Sequence, residues 1–278
     1  MAAPTDHSPA RTATTEATDA DGPGRRRIPI AAVVLPATAC VVVLSLWEIA
    51  TRTGFFSAII MPAPSEIAAA LWEIARTGYF WSATWVTVQE TIYGFLLGCL
   101  GAWVIGMGIG LSVTFRRIVY PLVIAFQNTP RVALAPVFLV WFGFGLTSKV
   151  MMAATICFFP LLISVVVGLE TVDRDAATLL RSMGASRWQM YYKLSLPSSL
   201  PFFFAGLKTA MTLALTGAIV AEFAGASEGM GVLVQTYNFQ LNVAHGFATI
   251  FVLMVIGLLL YGLMELLDRK IVFWQAGR

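Results

Sequence analysis

Residues 172–201, VDRDAATLLRSMGASRWQMYYKLSLPSSLP, form a polar, arginine-bearing island between two long apolar runs. The chemistry on offer is that of contact. Trp188, Tyr191 and Tyr192 stand beside Arg187 and Lys193, and large aromatics with Arg are the side chains that dominate interface energies. The spacing predicts two short helices. The first, Asp173 to Met183, opens on acidic residues, which the helix dipole favours there. Gly184 can take the left-handed backbone that ends a helix. Ser186 then caps a second helix running to about Ser195, which Pro197 stops. Such an island either docks a soluble partner or lays an aromatic helix along lipid headgroups. The residue types alone leave both open.

Reactive patterns are missing elsewhere. No G-x-x-x-x-G-K-[ST] loop occurs, so the chain has no such cradle for ATP phosphates, and no nucleophile elbow or His-Glu metal pattern occurs either. His7 lies in an N-terminal tail and His245 at the start of an apolar run. Cys40, Cys99 and Cys157 are scattered through apolar runs and read as buried small hydrophobes without metal spacing. Glu90 and Glu222 fall near the outer ends of such runs and Lys208 near an inner end, where snorkelling accounts for them. Gln127, Asn128 and Arg131 admit two placements. In a continuous helix they lie deep and face a path; if Pro130 starts a new helix, Asn128 and Thr129 are caps near the inner face.

The elements that must hold these residues are membrane spans. Of 278 residues 58% are hydrophobic and 12% charged, against about 25% charged in soluble domains. Six apolar runs, near 28–50, 84–112, 118–141, 149–170, 201–222 and 246–267, reach the ~20 helical residues that cross a bilayer. No period of two with turn signals supports a β-barrel. The expected fold is an all-α integral membrane protein of about six transmembrane helices. With the N-terminus inside, thirteen basic residues lie in inner segments and only Arg52, Arg76 and Lys149 in outer ones, so both termini are expected in the cytoplasm. The net charge of +3 is a topology signal and gives no ground for nucleic acid binding.

Residues 1–27 read as a disordered cytoplasmic tail closed by Arg25, Arg26 and Arg27, and 28–278 as the transmembrane domain. The tail is too long and the first run too extended for a signal peptide. Between the first two spans, Ser65 is expected to cap an amphipathic helix bearing Ile67, Leu71 and Ile74, closed by Gly78. Glycines at 94, 98, 101, 106, 108 and 110 predict close helix packing in the second span, with a deformable, switching helix as the functional alternative.

Gly184, Leu194, Leu196 and Pro197 match the glycine and the I-x-L-P end of the EAA loop of bacterial ATP-binding-cassette importer permeases. GASRWQ at 184–189, LPSSLPFFFAGLK at 196–208, MPAPSEI at 61–67, LVWFGFG at 139–145 and EFAGASEGMGVLV at 222–234 add to this. Over about residues 30–275 the chain resembles the nitrate, sulfonate and taurine permease group, with its thiamine-pyrimidine and riboflavin relatives. The resemblance implies a type I importer bundle in the bacterial cytoplasmic membrane that pairs with a second permease copy, as a homodimer. It also implies a solute-binding protein outside and an ATPase dimer inside that uses the ATP and Mg, this chain holding no cofactor. The coupling loop would be residues 172–200, with Ala185, Ser186, Arg187 and Trp188 in contact with the ATPase. One departure is plain: the naming Glu-Ala-Ala falls on Thr178, Leu179 and Leu180. Gln127, Asn128, Arg131 and Glu222 are the candidate translocation-path residues for a small polar or anionic solute. The rival class, an ion-coupled secondary transporter or channel, calls for mid-span charges or internal repeats. Apart from Arg131 the sequence offers neither.

Overall fold

The computed structural model describes residues 30–57 and 59–272; the expected tail at 1–27 lies outside them. Helix α1 (Ile30–Arg52) is followed by α2 (Pro64–Ile74), α3 (Gly78–Leu111) and α4 (Val113–Gln127). A 3-10 turn (Arg131–Leu134) leads into α5 (Ala135–Phe142) and α6 (Leu146–Glu170). The polar island carries α7 (Arg174–Ser182) and α8 (Arg187–Met190), a π turn (Tyr191–Ser195) then enters α9 (Leu196–Phe223), and α10 (Met230–Phe239) and α11 (Val243–Ile271) complete the order. The chain divides into two compact units at Leu46/Trp47, the first holding most of α1 and the second everything beyond.

The core of the second unit is a seam of small residues. Gly94, Gly98, Gly106 and Gly110 recur on one face of α3, with fully buried Ala102 in the same four-residue rhythm. A side chain at these glycines would collide in turn with Ala153, Cys157, Val165 and Leu169 of α6, each 59 residues further on. The constant offset means that α3 and α6 run parallel. Helix α9 packs antiparallel on α6: a Cβ at Gly217 would lie 2.7 Å from the Ala153 backbone, and one at Gly168 would lie 3.0 Å from both Ser199 and Phe202. In lipid, packing of this kind replaces the hydrophobic effect as the drive for association. Four of the six glycines of the second span, Gly94, Gly98, Gly106 and Gly110, therefore serve this contact.

Parallel α3 and α6 force the chain between them to cross back, and α4 with α5 makes that crossing. The two helices meet at an angle of 88°. Ser112 caps α4 by accepting from the Phe115 N–H at 3.2 Å, and Asn128 ends it. Pro130 keeps its predecessor out of helical geometry. The run at 118–141 is thus a broken span, as in the second of the two placements, although the break sits level with Ile156 in the middle of α6 and not near the inner face. With α1, α3, α6, α9 and α11, each long and apolar enough to cross, six spans result among the described residues.

Three boundaries differ from expectation. Pro197 does not stop the second loop helix. The π turn lets the Leu196 N–H reach the Tyr191 carbonyl, five residues back, and Pro197 sits in the first turn of α9, where no N–H is required. Ser65 does not cap α2: Ala63 does, its N–H donating to Glu66 Oε2 at 3.1 Å, while the Ser65 hydroxyl donates to Glu48 Oε1 at 2.7 Å. Gly78 opens α3 and leaves α2 to end at Ile74, whose apolar stripe packs beneath α11. Of the cysteines, Cys157 is buried, Cys99 half-buried and Cys40 exposed, so burial does not hold for all three.

The seam makes a direct prediction. Gly217→Leu should cost about 1–3 kcal/mol by overpacking and lower the thermal unfolding temperature of the detergent-solubilised protein. Gly101→Ala, whose Cβ would sit 3.4 Å from the Phe158 ring, should leave that temperature unchanged.

Candidate functional site

The island closes its first helix as the glycine spacing requires. Gly184 has φ +77°, its N–H donates to the Arg181 carbonyl at 2.9 Å, and the Ala185 N–H donates to the Leu180 carbonyl at 3.0 Å. This is the Schellman pattern, which a residue with a Cβ reaches only at a cost. Ser186 then opens α8 with a reciprocal capping box: its Oγ accepts from the Gln189 N–H at 3.2 Å, and Gln189 Oε1 accepts from the Ser186 N–H at 2.8 Å. The two caps fix the angle between the short helices.

The loop presents its large side chains outward. Trp188 and Tyr192 stack at 5.8 Å and are both more than half exposed, whereas Tyr191 is buried edge-on beneath them. Arg187 is exposed and Ala185 half-buried. Thr178 lies within α7, and its carbonyl accepts from the Ser182 hydroxyl at 3.1 Å. Leu194 and Leu196 are half-buried around the π turn, and Pro197 is exposed. A crevice of ≈ 480 Å³ lined by Gly110, Arg181, Arg187 and Tyr191 separates the loop from the end of α3, so the loop lies at the end where α3 and α6 finish. That end is the loop side.

A second polar site sits where α4 gives way to α5. Gln127 is the half-buried last residue of α4, and exposed Asn128 donates through Nδ2 to the Ile124 carbonyl at 3.1 Å. Arg131, in the 3-10 turn, reaches α6: Nη1 donates to the Ile156 carbonyl at 2.9 Å, and the guanidinium lies 5.4 Å from the centre of the Phe159 ring. Pro160 explains the acceptor. It has no N–H, so the carbonyl four residues before it, that of Ile156, has no helical donor. Arg131 supplies one.

Glu222 does not join that group. It is fully buried on the far side of the bundle with Glu90 and Lys149. Lys149 Nζ donates to Glu90 Oε1 at 2.6 Å and to the Glu228 carbonyl at 2.8 Å. Glu222 accepts from the Thr87 hydroxyl at 2.6 Å and from the Gly231 N–H at 2.5 Å, while the Met230 N–H donates to Thr87 Oγ1 at 2.8 Å. Helices α3, α6 and α9 are thereby tied to the segment that starts α10. Snorkelling is therefore wrong for Glu90 and Glu222, and Lys149 belongs to α6 and not to an outer connection. The cluster lies toward the far ends of the helices, with Lys149 in the first turn of α6 and Glu222 in the last turn of α9. The available signal was three ionisable residues inside or beside apolar runs, but no spacing in the sequence brings them together. Lys208 likewise does not snorkel; it bridges Glu265 at 2.5 Å and Asp268 at 2.6 Å, joining α9 to α11.

With this geometry in view, the relatives become informative. The family of binding-protein-dependent transport system inner membrane components matches residues 94–273. The chain belongs to that family. It is a multi-pass inner-membrane permease of an ABC system, which implies a partner ATPase, where ATP is hydrolysed, and a binding protein. It is 34% identical to the riboflavin transport system permease of Chloroflexus aurantiacus over 88% of this chain and 91% of that one. It is 32% identical to the formylaminopyrimidine transport permease of Halalkalibacterium halodurans (83% and 91% covered) and 28% to the taurine transport system permease of Escherichia coli K12 (84% and 87%). A chain from inward-facing structures of the MetNI methionine ABC transporter shares the fold, with TM-score 0.60 and 18% identity over 67% of this chain and 93% of that one.

The far-side tie can be tested by thermal unfolding. Lys149→Met alone leaves two buried carboxyl groups without their cation and should destabilise this permease by about 3–5 kcal/mol. Lys149→Met with Glu90→Gln should recover most of that loss. Equal destabilisation by the single and double variants would show that Lys149 acts by packing instead of charge.

Proposed function

We propose that this permease forms, as a homodimer, the path for a small polar or anionic solute, either a sulfonate or a vitamin precursor. A separate ATPase powers the transport, engaging the loop at residues 172–200. The relatives' roles in transport of riboflavin, formylaminopyrimidine and taurine support that range of solutes. The loop side is then cytoplasmic, both termini lie there, residues 1–27 form a cytoplasmic tail, and a binding protein delivers solute to the far side. The permease itself contributes no cofactor.

The observation that carries this reading is the doubly capped turn at Gly184 and Ser186. It holds Trp188 and Arg187 outward at the end of the rigid seam. A loop needed only to connect α6 with α9 requires no such fixed angle. Ala185, Ser186, Arg187 and Trp188 form the contact, and Leu194, Leu196 and Pro197 root it in α9. The Glu-Ala-Ala that relatives carry is here Thr178, Leu179 and Leu180, so α7 presents the exposed hydroxyl residue Thr178 where a carboxylate would stand. Gln127, Asn128 and Arg131 border the path, because polar groups at a helix break are costly against lipid.

Gly184→Val places a branched residue at φ +77°, a strain of about 1–2 kcal/mol. The permease should still insert and fold, while recovery of the ATPase with it, and coupled transport, fall. Arg187→Glu should weaken the same association by charge reversal. Unchanged ATPase recovery and transport in both variants would reduce the loop to an interfacial connector. Reporter fusions at Ser186 should read cytoplasmic and those at Asn238 external; a cytoplasmic Asn238 contradicts the orientation.

A further inference from the structure

Arg131 is a cation at mid-membrane depth without a carboxylate. Its acceptor, the Ile156 carbonyl, lies ten residues into α6, about 15 Å along the helix and so near the centre of a ~30 Å hydrocarbon layer. The ion pairs among the described residues leave it out: Glu90 pairs with Lys149, Glu170 with Arg116, and Glu265 and Asp268 with Lys208. One of its five N–H groups is used by Ile156, and its ring neighbour Phe159 stacks on Phe126, itself 60% exposed. The bond to Ile156 holds the guanidinium in place beside Phe159 and leaves most of the donor fork open. Asn128 stands three residues away with one amide N–H on Ile124 and its carbonyl oxygen uncommitted.

A charge at this depth is expensive unless it meets water or an opposite charge. We infer that Arg131 is the counter-ion of the transported solute, and that the solute carries a sulfonate, carboxylate or phosphate-ester group. The fork geometry of guanidinium matches such groups in a two-point contact that an ammonium cannot make. During passage the anion takes the open N–H groups, while the Ile156 carbonyl keeps the side chain from swinging into lipid. This rests on the reading that the α4–α5 break borders the path. It narrows the solutes suggested by the relatives to those with an anionic group.

The test uses the permease–ATPase complex in lipid nanodiscs, with Cys40, Cys99 and Cys157 replaced by Ala and Val132→Cys as the reporter. Val132 follows Arg131 and is 60% exposed. A water-soluble maleimide should label Val132→Cys. Ethanesulfonate, propionate or ethyl phosphate, whichever resembles the native anion, should slow labelling several-fold, and the neutral ethanesulfonamide and propionamide should not. Arg131→Gln keeps an N–H donor for Ile156 but loses the charge, and should abolish the protection while the complex still assembles. Arg131→Lys should retain part of it. Labelling that no anion slows, that the amides slow equally, or that Arg131→Gln leaves protected would overturn the inference and leave the permease assignment standing. No labelling by the water-soluble reagent in any nucleotide state would instead remove the break from the aqueous path and refute the reading beneath it.

Discussion

Backbone-to-backbone approach among α3, α6 and α9 is the constraint on which the rest of the structure depends. Gly94, Gly98, Ala102, Gly106 and Gly110 bring α3 onto α6, and Gly206 and Gly217 bring α9 onto its other side. Interfaces of that closeness have no side-chain layer to slide on, and close-packed interiors yield in discrete steps. The three helices therefore form a block. Their far ends are pinned by Lys149, Glu90 and Glu222, and α9 is held to α11 by Lys208. What is left to move is what packs less closely: α4 and the turn after it.

Function can then be located by elimination within the bundle. The broken crossing places Arg131 against an acceptor that exists only because Pro160 interrupts α6. The island is rooted through the π turn directly into α9, so a displacement of Trp188 or Arg187 is carried into the block without a flexible joint. A loop closed at φ +77° by Gly184 and reopened by the Ser186 box transmits direction as well as force. On the proposal that the ATPase engages this loop, these features describe how its stroke would reach the membrane.

Much of this was readable in the residues. Gly184 and Ser186 announce their caps because the chemistry is local, and the six apolar runs announce crossings by length alone. The failures are non-local. Pro197 reads as a stop until the π turn supplies the extra residue that accommodates it. Glu90, Lys149 and Glu222 read as separate surface-seeking charges because nothing in one sequence gives the register between α3, α6 and α9. The third run admits two placements for the same reason: only the parallel offset of α3 and α6 shows that it must both break and cross. Among the proposed path residues, Arg131 sits at depth and Glu222 does not share its surroundings, a separation that depends on packing.

The central claim, that α3, α6 and α9 move as one block while α4 moves against it, is open to pulsed electron-spin distance measurement. The complete transporter would carry spin labels at Leu100 of α3 and Thr209 of α9, or at Ile118 of α4 and Thr209, with labelled copies diluted among unlabelled ones. Distances would be compared without nucleotide and with ATP trapped in the partner ATPase. The account predicts an unchanged Leu100–Thr209 distribution and a displaced Ile118–Thr209 distribution. A shift of the first pair as large as that of the second would contradict it.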